Sequence, residues 1–401
     1  MRRSWRWSAL VTVMAASLLA GCAASPTASP APPASSPTAS ASPVASPSAS
    51  PPPASPSASP SSTPESVDAL SLEQRVGQLF MVGTRATTAS PTTLAAVRDR
   101  YAGGVFLSGR STGGVAATAG VVSRFTSLAE RDLPLWVATD QEGGEVQVLR
   151  GPGFGAMPYG IRQADLPSDQ LQEKAEAWGR ELAEAGVNLD LAPVADIVTS
   201  KATRFDNPPI GGYGRQYGYD ASTVAGKAGA FAEGMRDAGI LPTFKHFPGL
   251  GHVSANTDTT ADVVDTTVTP DGPDVGVYRP LTEAGPSAVM VSSAIYDRID
   301  GSTPAVFSPK VVGLLRSEVG FDGVVFSDDL SAAVAVSAWS PADRAVQAIS
   351  AGVDVVLVSA DPSAFPAMYD AVLAKATADP QFAAQVDAAA ARVLAAKADM
   401  P

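Results

Sequence analysis

Residues 320–330 read Gly320-Phe321-Asp322-Gly323-Val324-Val325-Phe326-Ser327-Asp328-Asp329-Leu330. The apolar, β-branched run at 323–327 is typical of a buried strand, and two acids follow it directly. Comparable short runs recur along the chain. They cover residues 79–83, 104–108, 135–139, 187–192, 241–244, 288–292, 323–327 and 353–359. Runs that are nearly continuous in apolar residues indicate strands buried on both faces, as in a parallel sheet.

Ala-rich helical patterns separate these runs. They cover residues 171–185, 222–238, 308–319, 341–350 and, at the end of the chain, 383–398. A first helix is predicted after Ser71, because Ser71 and Gln74 have the spacing of a capping box. Eight strands that alternate with helices predict an α/β protein with a single (β/α)8 TIM-type barrel over residues 67–401. A doubly wound open sheet is the alternative.

The first 22 residues are predicted to be a lipoprotein signal peptide. A basic segment with Arg2, Arg3 and Arg6 precedes an apolar stretch at 8–20 that is short for a membrane span. The run Leu19-Ala20-Gly21-Cys22 resembles a bacterial lipobox, in which the cysteine is lipidated and becomes the N-terminus. We therefore expect a lipid anchor at Cys22 and a location on the extracytoplasmic face of the cell membrane. An ordinary secretory signal with an incidental cysteine is the alternative.

Residues 23–66 contain only Ala, Ser, Pro and Thr apart from Val44 and Glu65. Such a segment has no large apolar side chains whose burial would offset the entropy lost on ordering. Frequent proline favours extended conformations, so residues 23–66 are predicted to be a disordered but semi-rigid linker between the membrane and the barrel.

Composition excludes several classes of protein. The 401 residues include 28 Lys+Arg against 40 Asp+Glu, two His and one Cys, with a formal net charge of −12. A nucleic-acid partner would need a basic face, and a disulfide scaffold needs more cysteines. Two His and one Cys make a His or Cys metal site hard to build, although carboxylates can still bind a hard cation. We expect no cofactor.

Polar residues cluster where the predicted strands end. The third strand runs into Asp140-Gln141-Glu142, the fifth into Lys245-His246, and the seventh into Asp328-Asp329. In a barrel these ends meet on one face, where active sites lie. Paired acids without a nucleotide motif favour glycoside hydrolysis, in which one carboxylate attacks the sugar and another group protonates the leaving oxygen. Asp140, Lys245 and His246 would then contact sugar hydroxyls.

The same motifs resemble a known family. Asp140-Gln141-Glu142-Gly143-Gly144-Glu145-Val146-Gln147, Leu191-Ala192-Pro193-Val194-Ala195-Asp196, Lys245-His246-Phe247-Pro248-Gly249 and residues 320–330 are similar to the signatures of glycoside hydrolase family 3 β-N-acetylglucosaminidases. Their order and spacing cover nearly all of residues 67–401. The resemblance implies a retaining hydrolase that removes terminal β-linked N-acetylglucosamine, commonly from peptidoglycan.

The resemblance also implies roles for single residues. Asp328 matches the nucleophile, although it or Asp329 can equally cap a following helix; we assign the cap to Asp329. Asp140 matches the acceptor of sugar hydroxyls, and Lys245 with His246 match the substrate-contacting pair. Arg215 resembles a substrate-binding arginine, with an ordinary surface arginine as an even alternative. Asp196 is expected to order its loop, and Glu142 to pair within its own turn.

The chain departs from the family pattern at the general acid. The family's Asp-x-His dyad falls on Asn256-Thr257-Asp258, and a preceding histidine is replaced by Leu250. Asp258 is the predicted acid, with Asn256 bonded to it, because burial or a neighbouring carboxylate can raise the pKa of an aspartic acid. His252 on the same loop is a second candidate, and loss of the acid is a third.

Other departures and alternatives remain open at this point. Val148 stands where the family often has a sugar-contacting arginine, with Arg150 nearby, and Ser293 replaces a frequent histidine. The sequence therefore leaves a β-glucosidase or other hexosidase of the same family open. It also leaves open a catalytically weakened glycan-binding lipoprotein, which would bind sugar in the same pocket with little turnover.

Overall fold

The computed structural model describes residues 67–130 and 133–398. The predicted signal peptide, the lipidation site at Cys22 and the predicted linker at 23–66 lie outside these described residues. Within the described ranges, no helix combines the length and the apolar character that crossing a bilayer requires.

Within the described ranges, eight parallel strands close into a barrel, which confirms the predicted (β/α)8 fold and excludes the open sheet. The strands are β1 Phe80–Arg85, β2 Gly104–Ser108, β3 Trp136–Thr139, β4 Leu189–Asp190, β5 Leu241–Phe247, β6 Ala288–Val291, β7 Val325–Asp329 and β8 Val355–Val358. Closure is direct, because β1 pairs with β2 on one side and with β8 on the other. Gly83 permits this approach, since a Cβ there would lie 2.1 Å from the Ser359 carbonyl oxygen.

Helices follow the strands and cover the barrel. They are α1 Leu72–Gln78, α2 Pro91–Arg100, α3 Gly114–Thr126, α4 Gly160–Gln163, α5 Ser168–Glu184, α6 Ala221–Asp237, α7 Pro273–Gly276, α8 Tyr278–Glu283, α9 Asp297–Asp300, α10 Pro309–Leu314, α11 Pro341–Ala351, α12 Phe365–Ala378 and α13 Pro380–Ala398. The predicted capping box is confirmed: Ser71 Oγ accepts from the Gln74 amide, and Gln74 Oε1 accepts from the Ser71 amide.

Smaller strands lie in the loops after the barrel strands. Gln141–Gly143 and Val146–Gln147 form a hairpin after β3, and Val264–Asp265, Ile295–Tyr296 and Gly301–Pro304 form a separate small sheet. The sequence did not predict these elements because they are only two to four residues long.

Two apolar layers hold the fold together. Side chains inside the barrel, among them Met81, Phe106, Trp136 and Phe326, form one buried cluster. A larger cluster fills the space between the strands and the surrounding helices. Alternate residues of a strand point to opposite faces, so a strand buried on both sides contributes side chains to both layers. This explains why the strand sequences are continuously apolar rather than alternating.

The C-terminal helix closes the end of the barrel where the strands begin. Val393 of α13 joins the barrel's interior cluster. Lys397 is buried and donates hydrogen bonds to Gln78 Oε1 and the Gly103 carbonyl oxygen, each at 2.7 Å. Its ammonium lies 5.0 Å from the centre of the Trp136 ring. Burial lowers the pKa of Lys397 to about 7.

Candidate active site

The predicted site residues meet in one cavity of about 390 Å³ at the C-terminal ends of the strands. Asp140, Arg215, Lys245, His246, Asp258 and Asp328 all line it, together with apolar side chains from several strands. Two predicted strand ends differ from the observed ones. β5 extends through Lys245 and His246, and β7 extends through Asp328, so these functional groups are fixed on strands rather than on loops.

An ion-pair cluster forms the floor of the cavity. Lys245 Nζ lies 2.6 Å from Asp140 Oδ1 and 2.7 Å from Glu142 Oε1. Arg215 donates two hydrogen bonds to the Glu142 carboxylate, from Nε at 2.8 Å and from Nη2 at 2.7 Å. Burial disfavours a charged Glu142, but the charges of Arg215 and Lys245 outweigh it and hold its pKa at about 2.

Glu142 was predicted to pair within its own turn, and that prediction is wrong. Its carboxylate instead joins side chains from β5 and from the loop after β4. The sequence held one signal for this role: Asp140 and Glu142 are two residues apart, the spacing that places side chains on one face of an extended segment.

His246 is oriented by Asp196. Asp196 Oδ2 accepts from His246 Nδ1 at 2.8 Å, while Oδ1 accepts from the backbone amides of His246 and Leu250. Arg215 Nη2 lies 3.4 Å from His246 Nε2. These partners place the imidazole proton on Nδ1 and leave Nε2 as an acceptor. Asp196 therefore fixes the position of His246 and connects its own loop to the loop after β5, in keeping with its predicted role in ordering that loop.

Asp328 and Asp329 have different surroundings although they are adjacent. Asp328 is half-buried, lines the cavity, and accepts one hydrogen bond from the Asp329 amide at 2.8 Å. Asp329 is buried and accepts from the amides of Ser331, Ala332 and Ser359. The predicted helix cap at Asp329 is wrong, because a turn rather than a helix follows β7. Asp329 instead stabilises that turn and ties it to β8.

Asp258 reaches the cavity on a strap that we define as residues 256–258. The Val334 amide donates to the Asp258 carbonyl oxygen at 3.2 Å, and the Ala335 amide donates to the Thr257 carbonyl oxygen at 3.0 Å. Asn256 Oδ1 accepts from the Asp258 amide at 2.8 Å. Asn256 was predicted to bond the carboxyl group of Asp258. It instead contacts the backbone of Asp258. The two backbone hydrogen bonds from Val334 and Ala335 attach the strap to the loop that follows Asp328.

The carboxyl group of Asp258 has an unusual environment. The residue is exposed to solvent, and it lines the cavity together with Asp328. Desolvation, followed by the negative charge of Asp328, raises its pKa to about 6. A carboxylic acid with this pKa holds its proton far better near neutral pH than an ordinary aspartic acid does.

His252, the alternative acid, is held outside the cavity. Its Nε2 lies 2.9 Å from Asp274 Oδ1 and its Nδ1 lies 2.8 Å from Thr199 Oγ1. It is not among the residues that line the cavity. Burial alone would lower the pKa of His252, but its bond to Asp274 outweighs that effect and raises the pKa.

Of the remaining departures from the family pattern, Val148, Arg150 and Ser293 do not line the cavity, whereas Leu250 does. Val148 is buried in the apolar core, and Ser293 is buried as well. Arg150 donates to the carbonyl oxygens of Gln147 and Gly144. Leu250 lines the cavity with an apolar side chain in place of the family's histidine.

Asp190 lies beneath the floor of the cavity and was not predicted from the sequence to belong to the site. It is fully buried on β4, and its Oδ1 accepts from the Gln141 amide at 2.9 Å. Burial raises its pKa to about 8. The sequence feature that could have indicated Asp190 is its position as an acid inside the apolar run of the fourth strand.

Size alone would not have selected this cavity, because several others on the protein are larger. A larger, mostly apolar cavity of about 580 Å³ opens at the opposite end of the barrel, near Ile240 and Phe321. It contains none of the interacting acids and bases described above. We assign the active site to the smaller cavity because it contains those interacting acids and bases, which the apolar cavity lacks.

Comparison with known proteins identifies the family of the chain. Residues 71–396 match the model of the glycosyl hydrolase family 3 N terminal domain. The chain belongs to glycosyl hydrolase family 3. It is therefore a glycoside hydrolase, and the acid pair at the C-terminal end of its barrel is the natural place for that chemistry.

Several family 3 proteins resemble the chain over most of its length. Beta-hexosaminidase LpqI of Mycobacterium tuberculosis is 34% identical over 298 residues, which are 72% of this chain and 73% of that protein. A crystal structure of beta-N-acetylhexosaminidase from Beutenbergia cavernae is 56% identical, with a TM-score of 0.81, and the match covers 82% of this chain and 99% of that one. A family 3 beta-N-acetylglucosaminidase from Paenibacillus is 32% identical, with a TM-score of 0.75 over 82% of this chain and 62% of that one.

Proposed function

We propose that the protein is a retaining β-N-acetylhexosaminidase that removes terminal β-linked N-acetylglucosamine from glycans of the cell-wall type. The names of the relatives given above support N-acetylglucosamine as the sugar and hydrolysis of its glycosidic bond as the reaction. The observation that carries the mechanism is the pair of unequal carboxyl groups in the cavity. Asp328 lies on a strand with one backbone hydrogen bond, while the strap holds Asp258, with a raised pKa, beside it.

In the first step, an oxygen of Asp328 attacks the anomeric carbon. The bond from this carbon to the leaving oxygen breaks, and Asp258 transfers its proton to that oxygen. The products are a glycosyl ester on Asp328 and the released alcohol. The raised pKa of Asp258 suits this role, since the acid must still carry its proton when substrate arrives.

In the second step, Asp258 is ionised and acts as the base. It removes a proton from a water molecule, whose oxygen attacks the anomeric carbon and displaces Asp328. The sugar leaves with its original β configuration. The proton taken up by Asp258 restores the acid for the next turnover.

The floor of the cavity positions the sugar. Asp140 is half-exposed there, so its carboxylate can accept hydrogen bonds from sugar hydroxyls. Lys245 and Arg215 line the cavity, and Glu142 pairs with both of them. We assign His246 to the same binding surface through its Nε2 acceptor.

The direct test is release of p-nitrophenol from the β-N-acetylglucosaminide and from the β-glucoside. The wild-type protein, Asp328→Ala and Asp258→Ala are compared, with Glu173→Gln on the exposed face of α5 as the matched control. We expect turnover of the acetylated sugar that is abolished at Asp328 and reduced at Asp258. Faster turnover of the glucoside would instead indicate a β-glucosidase. Binding of N-acetylglucosamine without any turnover would indicate a glycan-binding protein and overturn the proposal.

We also propose that the enzyme is attached to the cell membrane through a lipid on Cys22 and acts on its extracytoplasmic side. The support is the sequence of residues 1–22 and the spacer-like composition of residues 23–66. Metabolic labelling with a fatty acid tests this: wild-type protein should take up label in the membrane fraction, and Cys22→Ser should not. Equal labelling of the two would refute the anchor.

A further inference from the structure

Two pockets lie on the rim of the barrel beside the catalytic cavity. One, of about 610 Å³, is lined in part by Tyr159, Lys201, Arg204 and Tyr213. The other, of about 490 Å³, is lined in part by Arg110, Arg150 and again Tyr159. They share Tyr159 and Glu145, so we treat them together as the rim pockets. The proposed reaction uses neither of them.

The rim pockets are basic on a protein that is otherwise acidic. Five basic side chains line them, Arg110, Arg150, Arg162, Lys201 and Arg204, against two acids, Glu145 and Asp165. The whole chain has a formal charge of −12. Concentrating positive charge in pockets of an acidic protein creates a local potential that attracts anions.

Most of this positive charge is not neutralised by neighbouring carboxylates. Among the described residues, Arg162 pairs with Asp165 at 3.4 Å, and the other four basic residues form no ion pair. Arg204 donates to the Gly211 carbonyl oxygen and lies over the Phe205 ring at 4.0 Å. Its guanidinium and the Lys201 ammonium therefore remain available to a ligand.

Aromatic rings border the same basic groups. Tyr159, Phe205 and Tyr213 are 39%, 66% and 51% exposed, which is unusual for large side chains on this protein. Tyr159 is fixed rather than free to rotate. Its hydroxyl donates to Glu145 Oε1 at 2.9 Å, and its ring packs so closely on Gly144 that a Cβ there would lie 2.3 Å from the ring. Exposed rings with polar groups beside them suit the faces and hydroxyls of sugars.

The rim pockets and the catalytic cavity are built from the same loops. Arg215 and Pro209 line the catalytic cavity, while Gly212, Tyr213 and Gly214 of the same loop line a rim pocket. Similarly, Glu142 lies under the cavity and Glu145, three residues later, lines the rim. A chain-like ligand that extends from one site can therefore reach the other along the same face of the barrel.

We propose that the rim pockets form a second saccharide-binding site, which takes a glycan whose sugars carry carboxylate or phosphate groups. The basic residues bind the anionic groups and the tyrosines contact the sugar rings. This inference goes beyond the proposed hydrolase activity and does not depend on it. Pockets bordered by the fixed Tyr159 ring favour a saccharide chain over a flat membrane surface.

Binding is measured by calorimetry on the full chain carrying Asp328→Asn, so that turnover does not consume the probe. The probes are a hyaluronan hexasaccharide, which carries carboxylates, a phosphorylated mannan oligosaccharide, which carries phosphates, and neutral chitohexaose. Saturating free N-acetylglucosamine occupies the catalytic cavity. We expect one of the anionic probes still to bind under this condition, about tenfold more weakly when salt is raised from about 20 to about 300 mM.

Variants then locate the site. Lys201→Ala with Arg204→Ala should weaken anionic binding by about tenfold, since each exposed ion pair contributes up to about fivefold. Tyr213→Ala should weaken it by about threefold. Lys174→Ala, which removes an exposed cation from α5, should change nothing. The same rim substitutions in the chain with Asp328 intact should leave p-nitrophenyl hydrolysis unchanged, which shows that the fold is preserved.

The outcomes separate the possible ligands. Binding of hyaluronan or of the phosphorylated mannan oligosaccharide, lost in the rim variants, supports the proposal and identifies the anionic group. Binding of neither probe above the level of chitohexaose would overturn it, as would binding that the rim variants do not weaken. Binding to vesicles of anionic lipid with no binding to either glycan would replace the saccharide with a membrane surface and likewise overturn it.

Discussion

At the scale of single residues, the account depends on the difference between two aspartates in one cavity. Desolvation of its carboxyl group, together with the negative charge of Asp328, raises the pKa of Asp258 to about 6. Asp328 must be ionised to attack, and Asp258 must be protonated to donate. The raised pKa of Asp258 extends proton donation by this residue toward neutral pH.

The pH profile follows from that pKa. Below about 6 Asp258 carries its proton, and above it the protonated fraction falls tenfold with each pH unit. We expect kcat/KM for a disaccharide substrate to decline above pH about 6. In Asp258→Asn this decline should disappear, with a loss of about 10²–10⁴-fold in rate. A profile that keeps its alkaline limb in the variant would assign the acid to another group.

A matched pair of substrates separates the acid role from a structural one. A p-nitrophenyl leaving group needs little protonation, whereas a sugar leaving group needs it fully. Asp258→Asn should therefore slow the glycosylation step far more for the disaccharide. Equal losses for the two substrates would contradict the assignment.

Glu142 stabilises the floor of the cavity through its charge. Its folded pKa of about 2 is below its ordinary value, so its stabilising contribution is present above pH about 4.5 and is lost as the pH falls toward 2. We expect Glu142→Gln to lower the free energy of unfolding by about 3 kcal/mol at pH 7, because Arg215 and Lys245 lose a buried partner. Urea unfolding at pH 7 and pH 3 measures this, with Glu173→Gln as the exposed control. A difference that does not shrink at pH 3 would argue against a charge effect.

At the scale of elements, two backbone hydrogen bonds hold the strap, and a single substitution can remove one of them. Val334 is the first residue of a short 3₁₀ helix, where proline is tolerated, and the preceding Ala333 already has the extended conformation that proline favours. Val334→Pro deletes the amide that donates to the Asp258 carbonyl oxygen. We expect kcat for a disaccharide to fall about tenfold while the melting temperature changes little. Val334→Ala keeps the amide and should remain close to wild type; a similar loss in both variants would exclude the backbone bond as the cause.

The sequence predicted the elements well and their junctions poorly. Apolar runs marked every barrel strand, because strands buried on both faces have no polar alternation to confuse the pattern. The extension of β5 over Lys245 and His246 was missed, since charged residues ordinarily end a buried strand. The true partners of Glu142 were missed as well, because Arg215 and Lys245 are 73 and 103 residues away in sequence, and only the closed barrel brings them together.

At the scale of the whole molecule, α13 closes the barrel with a buried amine. The pKa of Lys397 is about 7 in the folded protein and far higher in the unfolded chain, so the unfolded chain binds more protons between these values. Stability should therefore rise with pH above about 7, by up to about 1.4 kcal/mol per pH unit from this residue. Urea unfolding of wild type and Lys397→Met between pH 6 and pH 9.5 measures the difference. The variant should show the smaller slope, and Lys174→Met should match wild type; parallel curves for Lys397→Met would contradict a lowered pKa.

The central claim is that Asp328 forms a covalent bond to the sugar, and trapping that bond tests it most directly. A 5-fluoro-N-acetylglucosaminyl fluoride reacts quickly in the first step and slowly in the second, so the ester accumulates. Mass spectrometry of the intact protein and of its peptides then identifies the modified residue. The account predicts one added sugar residue, on Asp328, and none in Asp328→Ala. An adduct on another residue, or turnover of the reagent with inversion and without an adduct, would contradict it.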